Sequence, residues 1–94
     1  CKGWEARRTA ARGYVLIDEA AFFQKSELIV EIADFLEKAG KIIPRNLAQL
    51  TVAQQRLGQR QQAEATAQRL FALTSDDAKM LAPKIAQFLD STAS

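Results

Sequence analysis

Apolar residues recur at helical spacing through most of the chain, and the punctuation between these stretches is clear from Ser26 onward. Ser26 precedes ELIVEIADFLEKAG, in which Leu28, Ile32, Phe35 and Ala39 share one face, Ile29 and Leu36 widen it, and Gly40 stands where a helix would stop. Pro44 follows Ile42 and Ile43. Its fixed φ and missing N–H suit the first turn of a second helix running to Gly58, with Leu47, Leu50, Ala53 or Gln54, and Leu57 as its apolar face. A third helix spans Arg60 to Leu73, with Ala63, Ala67, Leu70 and Phe71 expected inward and Gln61, Gln62, Glu64, Gln68 and Arg69 outward. Thr74-Ser75-Asp76-Asp77 opens a fourth, in which a hydroxyl caps the first turn and two acids offset its positive end. Met80, Leu81, Ile85, Phe88 and Leu89 form its face. Pro83 either kinks this helix or divides it, and residues 91–94 are expected to fray.

The stretch before Ser26 reads two ways. Tyr14, Val15, Leu16, Phe22 and Phe23 serve either as core residues of an N-terminal helix, with Asp18 and Glu19 exposed, or as part of a segment containing an apolar strand. A near-continuous apolar run satisfies both periods, so spacing does not separate them.

Composition favours the helical reading of the whole chain. Only 7% of the 94 residues are aromatic, and Ala, Leu, Gln and Arg, which lose little rotamer freedom on a helix, are abundant. The expected fold is all-α: one small bundle of four or five helices over residues 1–94, with a basic N-terminal segment or tether at 1–12 and a helical hairpin at 44–73. A chain of this length buries about 60–65% of its unfolded surface, so it must fill its core efficiently or borrow stability from a partner.

Several chemistries are excluded by residue type. Cys1 is the only cysteine and histidine is absent, which removes an internal disulfide, Cys/His zinc sites, and Ser/His or Cys/His catalysis. No cofactor or metal is expected. A formal net charge of +2 is too small for a strong nucleic-acid footprint, and no apolar run is long enough to cross a membrane. Charge alternates along the chain instead. Lys2, Arg7, Arg8 and Arg12 precede an acidic stretch of Asp18, Glu19, Glu27, Glu31, Asp34 and Glu37, and a basic one follows with Lys41, Arg45, Arg56, Arg60 and Arg69. Opposed stripes of this kind allow neighbouring helices to pair across exposed edges.

Three resemblances bear on function. The segment LAQLTVAQQRLGQRQQAEATAQRLFALTSDDAKML resembles one tetratricopeptide repeat, with Leu57-Gly58 at the end of helix A, Ala63 five positions later in helix B, Leu47 and Leu50 at large apolar positions, and Leu70 and Phe71 near the end of helix B. It departs from the pattern at Gln54 and Ala67, where aromatics are expected, and at Ser75, where the closing Pro is expected. The resemblance implies a noncatalytic protein-interaction module that receives a partner helix or peptide on its helix-A face, for which Arg45, Asn46, Gln49, Leu50 and Gln54 are the candidate binding residues. Cys1 resembles the first residue of a mature bacterial lipoprotein, which implies a diacylglyceryl anchor, a place on the periplasmic face of a bacterial membrane, and basic residues near lipid headgroups. Lys2 in place of Asp suits the outer membrane under that resemblance. The other reading of Cys1 is an excised fragment. Finally, Gly13-Tyr-Val-Leu-Ile-Asp-Glu-Ala-Ala-Phe-Phe resembles a Walker B strand, implying a fragment of a nucleotide-binding protein in which Asp18 holds magnesium and Glu19 activates water. No G-x-x-x-x-G-K-[ST] loop accompanies it.

Overall fold

The computed structural model describes residues 10–92, so Cys1 and most of the basic segment at 1–12 lie outside the described residues. Within them the chain forms five helices: α1 (Ala10–Phe22), α2 (Ser26–Lys38), α3 (Pro44–Arg56), α4 (Arg60–Ala72) and α5 (Asp76–Thr92). The fold is an all-α bundle, with no strand among the described residues.

The first three turns close in one way. After α3, Gly58 takes φ +78°, its N–H bonds to the Gln55 carbonyl at 3.1 Å, and the Gln59 N–H reaches back to Gln54 at 2.8 Å. After α2, Gly40 takes φ +69° and the same pair of bonds forms from Gly40 to Glu37 and from Lys41 to Leu36. These are Schellman closures, in which a left-handed residue lets two orphan carbonyls be satisfied. After α1 that position is held by Gln24, at φ +58°, with bonds from Gln24 to Ala21 and from Lys25 to Ala20. A side chain is strained there. Gln24→Gly is therefore expected to raise the unfolding free energy by up to about 1 kcal/mol in urea denaturation, whereas Gly58→Ala, which introduces a Cβ at the same backbone angle, lowers it by a similar amount.

Helix α3 packs against all four other helices. Helices α1 and α5 flank it, α2 closes over α1 and α3, and α4 closes over α3 and α5. The result is two layers, α1-α3-α5 and α2-α4. Two apolar clusters meet along α3: Ile17, Ala20, Ile29, Ile32, Ala33 and Leu36 join Leu50 and Ala53 on one side, and Ala63, Ala67, Leu70, Ala78, Ile85 and Leu89 join Leu47 and Ala48 on the other.

A register of 34 residues relates the two hairpins. Phe22 and Arg56 end α1 and α3, Ser26 and Arg60 begin α2 and α4, and each pair is 34 positions apart. The same step carries the buried residues of α2, Ile29, Ile32, Ala33 and Leu36, onto the buried residues of α4, Ala63, Thr66, Ala67 and Leu70. It also carries Gln24 onto Gly58. The hairpin at 44–73 is thus preceded by a second of the same layout.

The opposed charge stripes pair as expected. Arg45 meets Asp18 at 3.1 Å across α3 and α1, and Arg69 meets Glu37 at 2.7 Å across α4 and α2. All four side chains are well exposed, so these pairs set alignment more than stability.

Several expectations are corrected. The segment 10–22 is helical, and its buried stripe is Gly13, Ile17 and Ala20 at helical spacing, which turns Val15 and Phe22 to the opposite side. Phe22 is 80% exposed, and Phe23, beyond the helix end, is exposed too, its ring meeting that of Phe22 edge-on at 5.0 Å. Phe71 and Met80 also face out, one position past Leu70 and two past Ala78, the residues that fill those seams. Helix α5 runs unbroken through Pro83, because Ala78 before it and Ile85 and Leu89 after it are buried in one cluster. Ser91 and Thr92 extend it to the last described residue, and their hydroxyls bond back to the Phe88 carbonyl at 3.0 and 2.8 Å. Its first turn is capped as expected, with the Ala78 N–H donating to Ser75 Oγ at 3.3 Å.

Candidate functional site

Because α3 packs against four other helices, its five candidate binding residues point to different places. Asn46 is 1% exposed and bound within the fold: its Oδ1 accepts the Ile43 N–H at 3.1 Å, closing the helix start, and its Nδ2 donates to Gln49 Oε1 at 3.2 Å. Gln49 Nε2 in turn donates to Asp18 Oδ1 at 2.8 Å, and Arg45 Nη1 donates to Asp18 Oδ2 at 3.1 Å. Arg45, Asn46 and Gln49 are therefore brought together, as a polar seam that locks α1 onto α3. Nearby, the Tyr14 hydroxyl donates to the Lys41 carbonyl and ties α1 to the α2–α3 turn.

Leu50 and Gln54 lie elsewhere, buried under the gap between α2 and α4. Gln54 Oε1 accepts the Thr66 hydroxyl at 2.7 Å. Asn46 is thus engaged within the fold, whereas Leu50 and Gln54 meet the surface only at the floor of that gap, away from Arg45 and Gln49.

Between α1, α3 and α5 lies a shallow groove of about 250 Å³ lined by Ala21, Ala48, Gln49, Val52, Arg56 and Ile85, with Ile29 of α2 reaching it from below. Its floor is apolar and small. Ala21 and Ala48 come from helices that pack directly on one another, while Val52 lies half-buried between them and Ile85. Arg56 is exposed at the groove's edge and makes no ion pair among the described residues. Of the sequence-derived candidates only Gln49 lines this groove. Val52 and Arg56 were missed because the stripe of Leu47, Leu50 and Leu57 marks the opposite side of α3. The available signal was the second stripe, Ala48, Val52 and Arg56, at i, i+4 and i+8.

The Walker B resemblance loses its geometry. Val15–Glu19 is the middle of α1 rather than a strand end, and Asp18 is engaged by Arg45 and Gln49. Among the described residues no group of acidic, Cys or His side chains is arranged to hold a metal ion. No protein-family model, curated protein or solved structure matches the chain.

Proposed function

We propose that this chain is a noncatalytic adaptor that seats an amphipathic partner helix or peptide in the groove along α3, between α1 and α5. The observation that carries the proposal is the groove floor of Ala21, Ala48, Val52 and Ile85, bordered by the cation of Arg56. Small side chains let a partner helix approach to the roughly 8–10 Å at which helices pack, and an apolar floor rewards the approach. Two features support a tetratricopeptide-like reading: the step of 34 residues between hairpins and the alternation of layers, in which α1, α3 and α5 occupy the helix-A positions. Under the lipoprotein resemblance Cys1 is the attachment point to a bacterial envelope membrane, and the groove serves a partner in that compartment.

Val52 is the residue to change, because it is half-buried in the groove and packs against the α3–α5 cluster only from its outer side. Val52→Asp is expected to reduce retention of the partner in affinity isolation by about tenfold or more, the effect of placing a charge where apolar surface is buried. Gln61→Asp, on the outward face of α4, is expected to leave retention unchanged. Equal retention by the two variants, both helical by circular dichroism, overturns the groove.

A further inference from the structure

On the other side of the molecule, the gap between α2 and α4 forms a second cleft of about 240 Å³, with Val30, Asp34 and Glu37 on one wall, Gln62, Ala65, Thr66 and Arg69 on the other, and Leu50 and Gln54 beneath. Helices α2 and α4 do not pack on each other, so the cleft is built into the layout. The Arg69–Glu37 pair spans it. Gln54 is the unusual member. It is 9% exposed, its Oε1 accepts the Thr66 hydroxyl at 2.7 Å, and its Nε2 makes no hydrogen bond to any described residue. Yet this amide nitrogen is not among the polar side-chain atoms sealed away without a partner, so it opens to the cleft. Water accepts from it in the free protein, and a ligand that enters the cleft must replace that water with an acceptor of its own.

We infer that the α2–α4 cleft is a pocket for a single carboxamide side chain, Asn or Gln, carried by a partner peptide. A carboxamide matches the cleft in each of its parts. Its carbonyl oxygen accepts from Gln54 Nε2, and its NH2 finds a carboxylate in Asp34, one of whose oxygens is held by Lys38 at 3.0 Å while the other is free. Its methylenes lie against Val30, Leu50 and Ala65. A carboxylate ligand would gain the same floor donor but meet the unpaired oxygen of Asp34 with like charge, and an ammonium would meet the Gln54 donor with another donor. An aliphatic side chain would leave the amide unpaired. The site lies on the opposite layer from the α1-α3-α5 groove and stands or falls independently of it.

The test is an amide-proton NMR titration of the whole chain with N-acetyl-glutamine methylamide, alongside the N-acetyl-glutamate and N-acetyl-leucine methylamides. The glutamine probe is expected to bind in the millimolar range, as suits so small a ligand, and to shift the Gln54 side-chain NH2 and the amides of Ala65 and Thr66, with the other two probes about tenfold weaker or silent. Gln54→Leu is expected to abolish the shifts. It leaves the Thr66 hydroxyl satisfied, because that hydroxyl also reaches the Gln62 carbonyl at 2.9 Å. Ala65→Met, at an exposed position on the cleft wall, fills the pocket without touching the core and is expected to do the same. Equal shifts from all three probes, none from the glutamine probe at millimolar concentration, or unchanged binding by Ala65→Met overturns the inference. None of these outcomes bears on the Val52→Asp test.

Discussion

Leu36→Ala is expected to lower the unfolding free energy by about 2–5 kcal/mol, the range for truncating a fully enclosed leucine. Leu36 is wholly buried, near the end of α2, within the cluster that joins α1, α2 and α3. Removing its isobutyl group takes away transfer energy and leaves a void that helices pinned at both ends by turns close only in part. Its partner in the 34-residue register, Leu70, occupies the corresponding place in the other cluster, so Leu70→Ala is expected to cost a similar amount. For a domain of this size either loss is a large share of the total stability. Urea denaturation checks the claim against Phe22→Ala, which removes a larger side chain from a position that is 80% exposed and is expected to stay within about 0.5 kcal/mol. A Leu36→Ala midpoint no lower than that of Phe22→Ala contradicts the packing described.

The second large effect is expected at Asn46. Its two side-chain groups are both engaged, so Asn46→Ala leaves the Ile43 N–H and the Gln49 side-chain Oε1 without their partners and weakens the start of α3. The expected loss is about 1–3 kcal/mol, with a fall in Tm of about 4–8 °C for each kcal/mol. Arg45→Ala, one residue earlier, removes only an exposed ion pair and is expected to cost under about 1 kcal/mol. Thermal unfolding of the two variants separates a residue that builds the fold from one that trims its surface. A loss at Arg45 as large as that at Asn46 contradicts the assignment.

These two residues show how far the sequence could be read. Helices α2 to α5 were legible because their apolar spacing and their stops coincide: Gly40 and Gly58 take left-handed angles that other residues resist, and Ser75 caps α5. Helix α1 was not, since the run from Tyr14 to Phe23 fits strand and helix alike, and Gln24 occupies without a glycine the turn that Gly58 marks with one. The doubled hairpin was hidden for a related reason. Ile29 and Ala63, or Ile32 and Thr66, share burial without sharing identity, because the same seam is filled by large residues in one hairpin and small ones in the other. On α3, one apolar stripe predicts one hidden face. A helix that packs against four neighbours hides polar residues too: Asn46 reads as surface in the sequence and is interior in the fold, and Gln54, an alternative to Ala53 on the apolar stripe, is buried along with it.

Interaction through the α1-α3-α5 face is the central claim, and site-specific photo-crosslinking in the native host tests it most directly. A photoreactive amino acid placed at Val52 is expected to trap one principal partner, with the attachment mapping to an amphipathic helical segment and the adduct lost when Arg56→Glu is added. The same probe at Gln61, on the outward face of α4, is expected to trap nothing specific. Adducts of equal yield from both positions, or none from Val52, would contradict the groove as the place where this chain meets its partner.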